Sequence, residues 1–166
     1  MNNSIFRKIM VATDGSELAK KAVDTAIEIS KNGQGKLYAV HVIPLREYYS
    51  SIPPAIDAEW VKAMEEHLRI ESQETIAYVE EAGREANIEI EPVILEGNPV
   101  NEIVDFAEKN DIDLIVMGTH GKTGIQKFLI GSVSENVVRH SERAVLVVRG
   151  ESEDLLFKAI SKKEME

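Results

Sequence analysis

Five short runs of aliphatic residues, at 9–12, 37–43, 90–95, 114–117 and 144–148, constrain this chain more than any other feature. Most are rich in Val and Ile, and several are nearly continuous in apolar character rather than alternating. A strand with one face in water alternates, whereas a strand covered on both faces does not. The runs therefore predict buried strands of a mostly parallel sheet.

Helical periods fill the intervals. After Ser16, the residues Ala19, Ala22, Val23, Ala26 and Ile27 recur on one helix face. Between 57 and 87, Val61, Met64, Leu68, Thr75, Val79, Ala82 and Ala86 continue such a stripe. Asn98-Pro99 opens a third helix, Asn as cap and Pro in the first turn, with Val100, Ile103, Val104 and Ala107 as its apolar face. A fourth runs from Ser132 to about His140, where Ser132-Val133-Ser134-Glu135 matches a capping box. Strand and helix alternate throughout, which predicts an open, mostly parallel α/β sheet with helices on both faces and right-handed crossovers. The segment 44–56, with Tyr48-Tyr49 and Pro53-Pro54, reads as an irregular loop. The length of 166 residues suits one domain, read as 1–150, followed by a tail at 151–166. Leu155, Leu156, Phe157, Ala159 and Ile160 sit among charges in that tail. It reads equally as a short docked helix or as a frayed end.

Composition narrows the function. There is no cysteine, which removes disulfides, thiolate metal sites and cysteine nucleophiles. Acidic residues number 29 against 19 basic, a net charge of −10, the wrong sign for tracking nucleic-acid phosphates or an anionic membrane surface. No apolar run approaches the roughly 20 residues of a spanning helix. The first residues lack a secretory pattern, so the expected compartment is the cytoplasm.

In open α/β sheets, ligands bind beyond the carboxyl ends of the strands. The first run ends in Ala12-Thr13-Asp14-Gly15-Ser16, the second in His41-Val42-Ile43-Pro44, and the fourth in Met117-Gly118-Thr119-His120-Gly121-Lys122-Thr123-Gly124. The last stretch leads to Gly131-Ser132 at a helix start. Glycines there allow close approach to main-chain N–H groups, and a helix N-terminus favours anions. From 118 to 132 the only charged residues are Lys122 and Lys127, a basic stretch in an acidic chain that suits a phosphate. Gly121-Lys122-Thr123 imitates the end of a P-loop, but the required glycine at 116 is Val. No G-x-G-x-x-G dinucleotide fingerprint is present either.

What the loop does match is Gly118-x2-Gly121-x9-Gly131-Ser132. Here the chain resembles the ATP-binding branch of the universal stress protein family, over about residues 5–149. The opening Ala-Thr-Asp-Gly-Ser, the Val-His-Val-Ile segment and the closing Val-Leu-Val-Val carry the likeness too. The resemblance implies a Rossmann-like five-stranded sheet of order 3-2-1-4-5, with ATP across the ends of strands one and four. It implies that Asp14 hydrogen-bonds the nucleotide or a metal-bound water. It implies that the Val42 main chain reads the adenine edge, with Ala12 and Thr13 beside it. Met117, Gly118, Thr119, His120 and Gly121, with Lys122 and Thr123 on the way to Gly124, would wrap ribose and phosphates. Gly131, Ser132, Val133 and Ser134 would hold phosphates through N–H and hydroxyl groups. Mg²⁺ or Mn²⁺ would bridge those phosphates. The run from Ala144 to Val148, last in the chain, should form a sheet edge, and the resemblance implies homodimerisation through it.

Each residue also has a plainer reading. Ser132 suits an N-cap, Asp14 a turn, and Gly118 and Gly121 simple bends. Lys122 and Lys127 could be solvated, His41 reads as structural, and His120 fits a ribose or backbone contact better than acid–base catalysis. No side chain stands out as catalytic. Three functions follow. The first is an ATP-dependent regulatory switch with at most slow hydrolysis, read by an unidentified protein partner. The second is a slow ATPase or nucleotidyl-transfer enzyme. The third is a protein-contact module that binds no nucleotide. Enzymes of the wider superfold carry Ser-Gly-Gly-x-Asp-Ser after strand one, where this chain has Ala-Thr-Asp-Gly-Ser-Glu. That disfavours the second reading, and the intact glycines disfavour the third.

Overall fold

The computed structural model describes residues 5–119 and 130–149. In chain order the elements are β1 (Lys8–Ala12), α1 (Glu17–Gly33), β2 (Lys36–Ile43), α2 (Leu45–Ser51), α3 (Ala58–Glu85), β3 (Ile90–Glu96), α4 (Pro99–Lys109), β4 (Leu114–Gly118), α5 (Ser132–His140) and β5 (Ala144–Val148). The five strands are all parallel in the order β3-β2-β1-β4-β5. The expected α/β class and strand order are therefore those of the protein.

Local chemistry sets the helix starts. The Ser16 hydroxyl accepts from Ala19 N at 3.2 Å, the Asp57 carboxylate from Glu59 N at 2.6 Å, and the Asn98 side-chain oxygen from Asn101 N at 3.2 Å. α1 ends at Gln34 and α3 is followed by Asn87, both left-handed, with φ of 52° and 58°. Two apolar layers sandwich the sheet. Ile9, Val11, Leu37, Ala39, Leu114 and Val116 pack on α1 and α3, while Met10, Ala12, Tyr38, Val40, Ile115 and Met117 pack toward α4 and α5. The central strands β1 and β4 are thus covered on both faces, which explains their unbroken apolar sequence.

Three expectations need correction. Residues 45–51 are helical rather than irregular. The prolines bracket the helix instead of breaking it, with Pro44 at the cap position and Pro53 and Pro54 beyond its end. Asn98 Nδ2 donates to Glu47 at 3.2 Å, and the Tyr49 hydroxyl bonds Glu65, fastening α2 to its neighbours. Second, the apolar stripe of α3 is buried only in its second half, at Ser72, Thr75, Ile76, Val79 and Gly83. A helix of 28 residues is about 42 Å long at 1.5 Å per residue, against about 26 Å for the eight-residue β2. Its first turns therefore overhang the carboxyl edge of the sheet, leaving Val61, Met64 and Leu68 only half-buried. Third, Ser132 does not cap α5. Gly131 occupies the cap position without a side-chain bond, and Glu135 bonds Arg139 at 2.8 Å instead of turning back.

At the amino edge of the sheet, the Asp113 carboxylate accepts from Arg7 N at 2.8 Å and Lys8 N at 2.9 Å, closing the start of β1 onto β4. The Lys8 N–H bond chiefly holds this carboxyl below its usual range. Partial burial opposes the effect, while the Arg7 N–H and the Arg143 and Lys8 charges reinforce it. Asp113→Asn should destabilise the fold by about 1–2 kcal/mol, because both N–H groups bond the same carboxylate oxygen, and the neutral amide oxygen that replaces it accepts them more weakly. A depressed folded-state pKa means the contribution is full above the unfolded value near 3.9 and fades as pH falls through the folded value. Denaturant melts across pH should therefore show a constant gap between parent and variant from about pH 5 to 8, narrowing below about pH 4. A gap that widens in acid would contradict this account.

Candidate functional site

β1 and β4 lie side by side, but the chain leaves them in opposite directions. After β1 it passes through α1 to β2, and after β4 it passes through α5 to β5 on the other flank. Their carboxyl ends therefore part at the switch point of the sheet, where a crevice forms. Ala12 faces Met117 across this seam, and both are buried.

The wall from β1 is a tightly held turn. Thr13 N donates to Val40 O at 3.0 Å, the last rung of the β1–β2 ladder. Beyond it, Gly15 N donates to Thr13 Oγ1 at 3.2 Å and Ser16 N to Asp14 Oδ1 at 3.0 Å. Gly15 takes φ +77°, a conformation that favours glycine. A Cβ there would also lie 2.6 Å from the Thr75 hydroxyl of α3. Asp14 is half-buried, its carboxylate partly engaged by the turn.

The wall from β4 is joined to α5. Thr119 N donates to Val148 O at 3.0 Å, and Gly131 N to Thr119 O at 2.5 Å. The buried Ser134 hydroxyl donates to Gly118 O at 2.7 Å, pinning the first turn of α5 to the end of β4. The N–H groups of Ser132, Val133 and Ser134 open α5 and have no acceptor within the helix. Ser132 itself is exposed, while Val133 rests on the apolar layer beneath.

Val42 completes the arrangement from β2. It pairs with Leu95 of β3 on one side. Its main-chain N–H and C=O share the direction of Val40 by the two-residue period of a strand, so they face the space above the end of β1. Ala12, Thr13, Asp14, Val42, Met117, Gly118, Thr119, Gly131, Ser132, Val133 and Ser134 are thus gathered around one crevice. His120, Gly121, Lys122, Thr123, Gly124 and Lys127 lie outside the described residues.

Two residues read from the sequence only as structural contribute to the turn. Thr75 of α3 packs on Gly15, and the His41 imidazole Nδ1 lies 2.8 Å from the Thr13 carbonyl oxygen. His41 lies in the Val-His-Val-Ile segment and Thr75 in the α3 stripe, but neither pattern points to the β1 turn, since each acts through a contact between distant segments. An open depression at the opposite edge, near Lys31, Lys36, Glu89 and Glu91, lies at the amino ends of β2 and β3, with Lys36 already paired to Glu91. It offers no convergent set of groups. Among the described residues, no three His, Asp or Glu side chains gather as a metal site.

The fold and the crevice define a class: an open parallel α/β protein with main-chain donors grouped at the switch point of its sheet. Residues 5–149 match the model of the universal stress protein family, and the chain belongs to that family. It is 40% identical over 146 residues to universal stress protein MJ0531 of Methanocaldococcus jannaschii, covering 88% of this chain and 84% of that one. The solved structure of protein MJ0577, also of Methanocaldococcus jannaschii, superposes with a TM-score of 0.76 at 30% identity, over 90% of this chain and 99% of that chain. Two further structures of the family hold nucleotides. One, in complex with cAMP, has a TM-score of 0.63 at 26% identity over 87% and 97% of the two chains. The other, from Archaeoglobus fulgidus in complex with dAMP, has a TM-score of 0.62 at 25% identity over 86% and 98%.

Proposed function

We propose that this chain is a cytoplasmic ATP-binding regulatory protein, a nucleotide-dependent switch with at most slow hydrolysis. The observation that carries this reading is the meeting of the β1 turn, the Val42 main chain and the first turn of α5 at one crevice, in a family where related structures hold adenine nucleotides. Asp14 would contact the ribose or a metal-bound water. The Val42 main chain would meet the adenine edge, flanked by Ala12 and Thr13. The segment from Met117 through Gly118, Thr119, His120, Gly121, Lys122 and Thr123 to Gly124 would wrap the sugar and phosphates. Phosphate oxygens would take the N–H groups of Ser132, Val133 and Ser134 and the Ser132 hydroxyl, with Gly131 allowing close approach. The Ser134 hydroxyl is occupied by Gly118, which leaves its N–H as the donor.

These donors suit an anion, and no cage of carboxylates surrounds them among the described residues. Mg²⁺ or Mn²⁺ would accordingly take its ligands from phosphate oxygens and water, with Asp14 as the nearest carboxylate in the turn. Such an ion would neutralise phosphate charge.

Self-association belongs to the same reading. β5 is an edge strand, and Ala144 and Leu146 are exposed on it, as is Val138 of α5 nearby. An apolar open edge favours pairing with a second copy about a two-fold axis. In this reading residues 1–150 form the nucleotide-binding unit and 151–166 an appended tail. Among the described residues, no helix is long and apolar enough to cross a membrane. A protein partner would read the nucleotide state.

The test is mass spectrometry of nucleotide released from the purified protein, followed by Mg²⁺-ATP calorimetry on the stripped form. The expected result is ATP at about one per chain and a saturable heat with micromolar or tighter Kd. ADP in its place would move the reading toward an enzyme. No nucleotide and no binding heat at several temperatures would overturn it in favour of a protein-contact module.

A further inference from the structure

The geometry points to His41 as a positioning residue that takes the place of a rung in the β1–β2 ladder and so sets the nucleotide-facing turn. This deepens the proposed function and rests on it for the consequence for binding. The ladder runs from Lys8↔Lys36 to Ala12↔Val40. Its last rung is Thr13 N to Val40 O, at 3.0 Å. Were β1 to continue, the Thr13 carbonyl would accept the next N–H of the same parity on β2, that of Val42. Instead the His41 imidazole approaches the Thr13 oxygen at 2.8 Å.

Two consequences follow from that substitution. The Thr13 carbonyl is satisfied by a side chain, so the main chain can leave the sheet there without stranding a polar group. Asp14, left-handed Gly15 and the Ser16 cap then follow in the turn already described. The Val42 N–H, relieved of its strand partner, faces the crevice. One imidazole thus shapes both the β1 wall and the β2 edge of the site.

A carbonyl only accepts, so Nδ1 must carry the proton. In the neutral ring this selects the Nδ1–H tautomer. The first measurement is a long-range ¹H–¹⁵N correlation spectrum of the imidazole at mildly alkaline pH, with the backbone amide spectrum recorded alongside. Two variants complete the test. His41→Leu removes the donor. His41→Asn places an amide NH₂ close to where Nδ1 stands, and restores it.

The expected results are an Nδ1–H tautomer, and shifted amides of Thr13, Asp14 and Val42 in His41→Leu. That variant should lose at least about tenfold in Mg²⁺-ATP affinity, and His41→Asn should return it to within about threefold of the parent. An Nε2–H tautomer overturns the inference, and being read on the parent protein it does not depend on any variant folding. Unmoved turn amides and parent affinity in His41→Leu overturn it too. A loss that His41→Asn does not restore assigns His41 to packing and also overturns it. If the parent binds no nucleotide, the proposed function fails by itself. The tautomer and the turn amides then decide the positioning role alone.

Discussion

On the proposed function, the expected result for Gly131→Val is a loss of about 2 kcal/mol or more in Mg²⁺-ATP affinity, roughly thirtyfold, with the protein still folded. The backbone at Gly131 has φ −62° and ψ 156°, an extended conformation that any residue adopts, so valine meets no strain there. Its branched side chain would instead stand at the mouth of α5, where the proposed function brings phosphate oxygens within hydrogen-bond distance of main-chain N–H groups. Calorimetry with Mg²⁺-ATP reads the affinity, and circular dichroism with a thermal melt verifies the fold. Gly121→Val, at another of the three spaced glycines of the motif, should act in the same direction. If both variants fold and bind as the parent does, the phosphates do not lie here, and the spaced glycines serve only the turn.

Gly15→Val acts on stability instead, and should cost about 3 kcal/mol. Two penalties combine. The φ of +77° places a β-branched residue in the left-handed region, and the new Cβ lies 2.6 Å from the Thr75 hydroxyl oxygen. For a domain of this size the melting temperature should fall by roughly 10 °C. Thr75→Ala separates the penalties, because it removes the hydroxyl and methyl while the Thr75 Cβ stays 3.5 Å away. Gly15→Ala should therefore cost less in the Thr75→Ala background than in the parent, and a double-mutant cycle measures the difference. Equal costs in both backgrounds would leave only the backbone term. A Gly15→Val protein as stable as the parent would refute the account. The contact also gives α3, whose first turns overhang the site, a mechanical link to the β1 turn.

Much of this was legible along the chain. Buried strands announce themselves when both faces are covered, because continuous apolar runs have no other use in a soluble sheet. The starts of α1, α3 and α4 follow from Ser16, Asp57 and Asn98, whose side-chain oxygens reach N–H groups only two or three residues away. The crevice residues are readable for a related reason: a strand end and the loop after it are adjacent in sequence, so Asp14 and Gly118 need only the topology to become neighbours. The exception at α5 is instructive. Ser132 to Glu135 carries a capping-box pattern, yet Gly131 takes the cap and the Ser134 hydroxyl turns to Gly118, sixteen residues back. The helix begins one residue early, so the Glu135 N–H that a Ser132 cap would take already donates to Gly131 O at 2.9 Å, while the buried Ser134 hydroxyl finds its partner on β4.

What the sequence determined by itself was the class of sheet, most helix boundaries and the segments that ring the crevice, because each depends on periodicity or on contacts a few residues long. Tertiary structure alone decided that α2 is a helix, that half of α3 stands clear of the core, and that His41 and Thr75 brace the β1 turn. Those outcomes depend on helix lengths compared with strand lengths, and on approaches between residues 28 and 60 positions apart along the chain, such as His41 to Thr13 and Thr75 to Gly15. No local pattern encodes such approaches, since they exist only once the layers have packed.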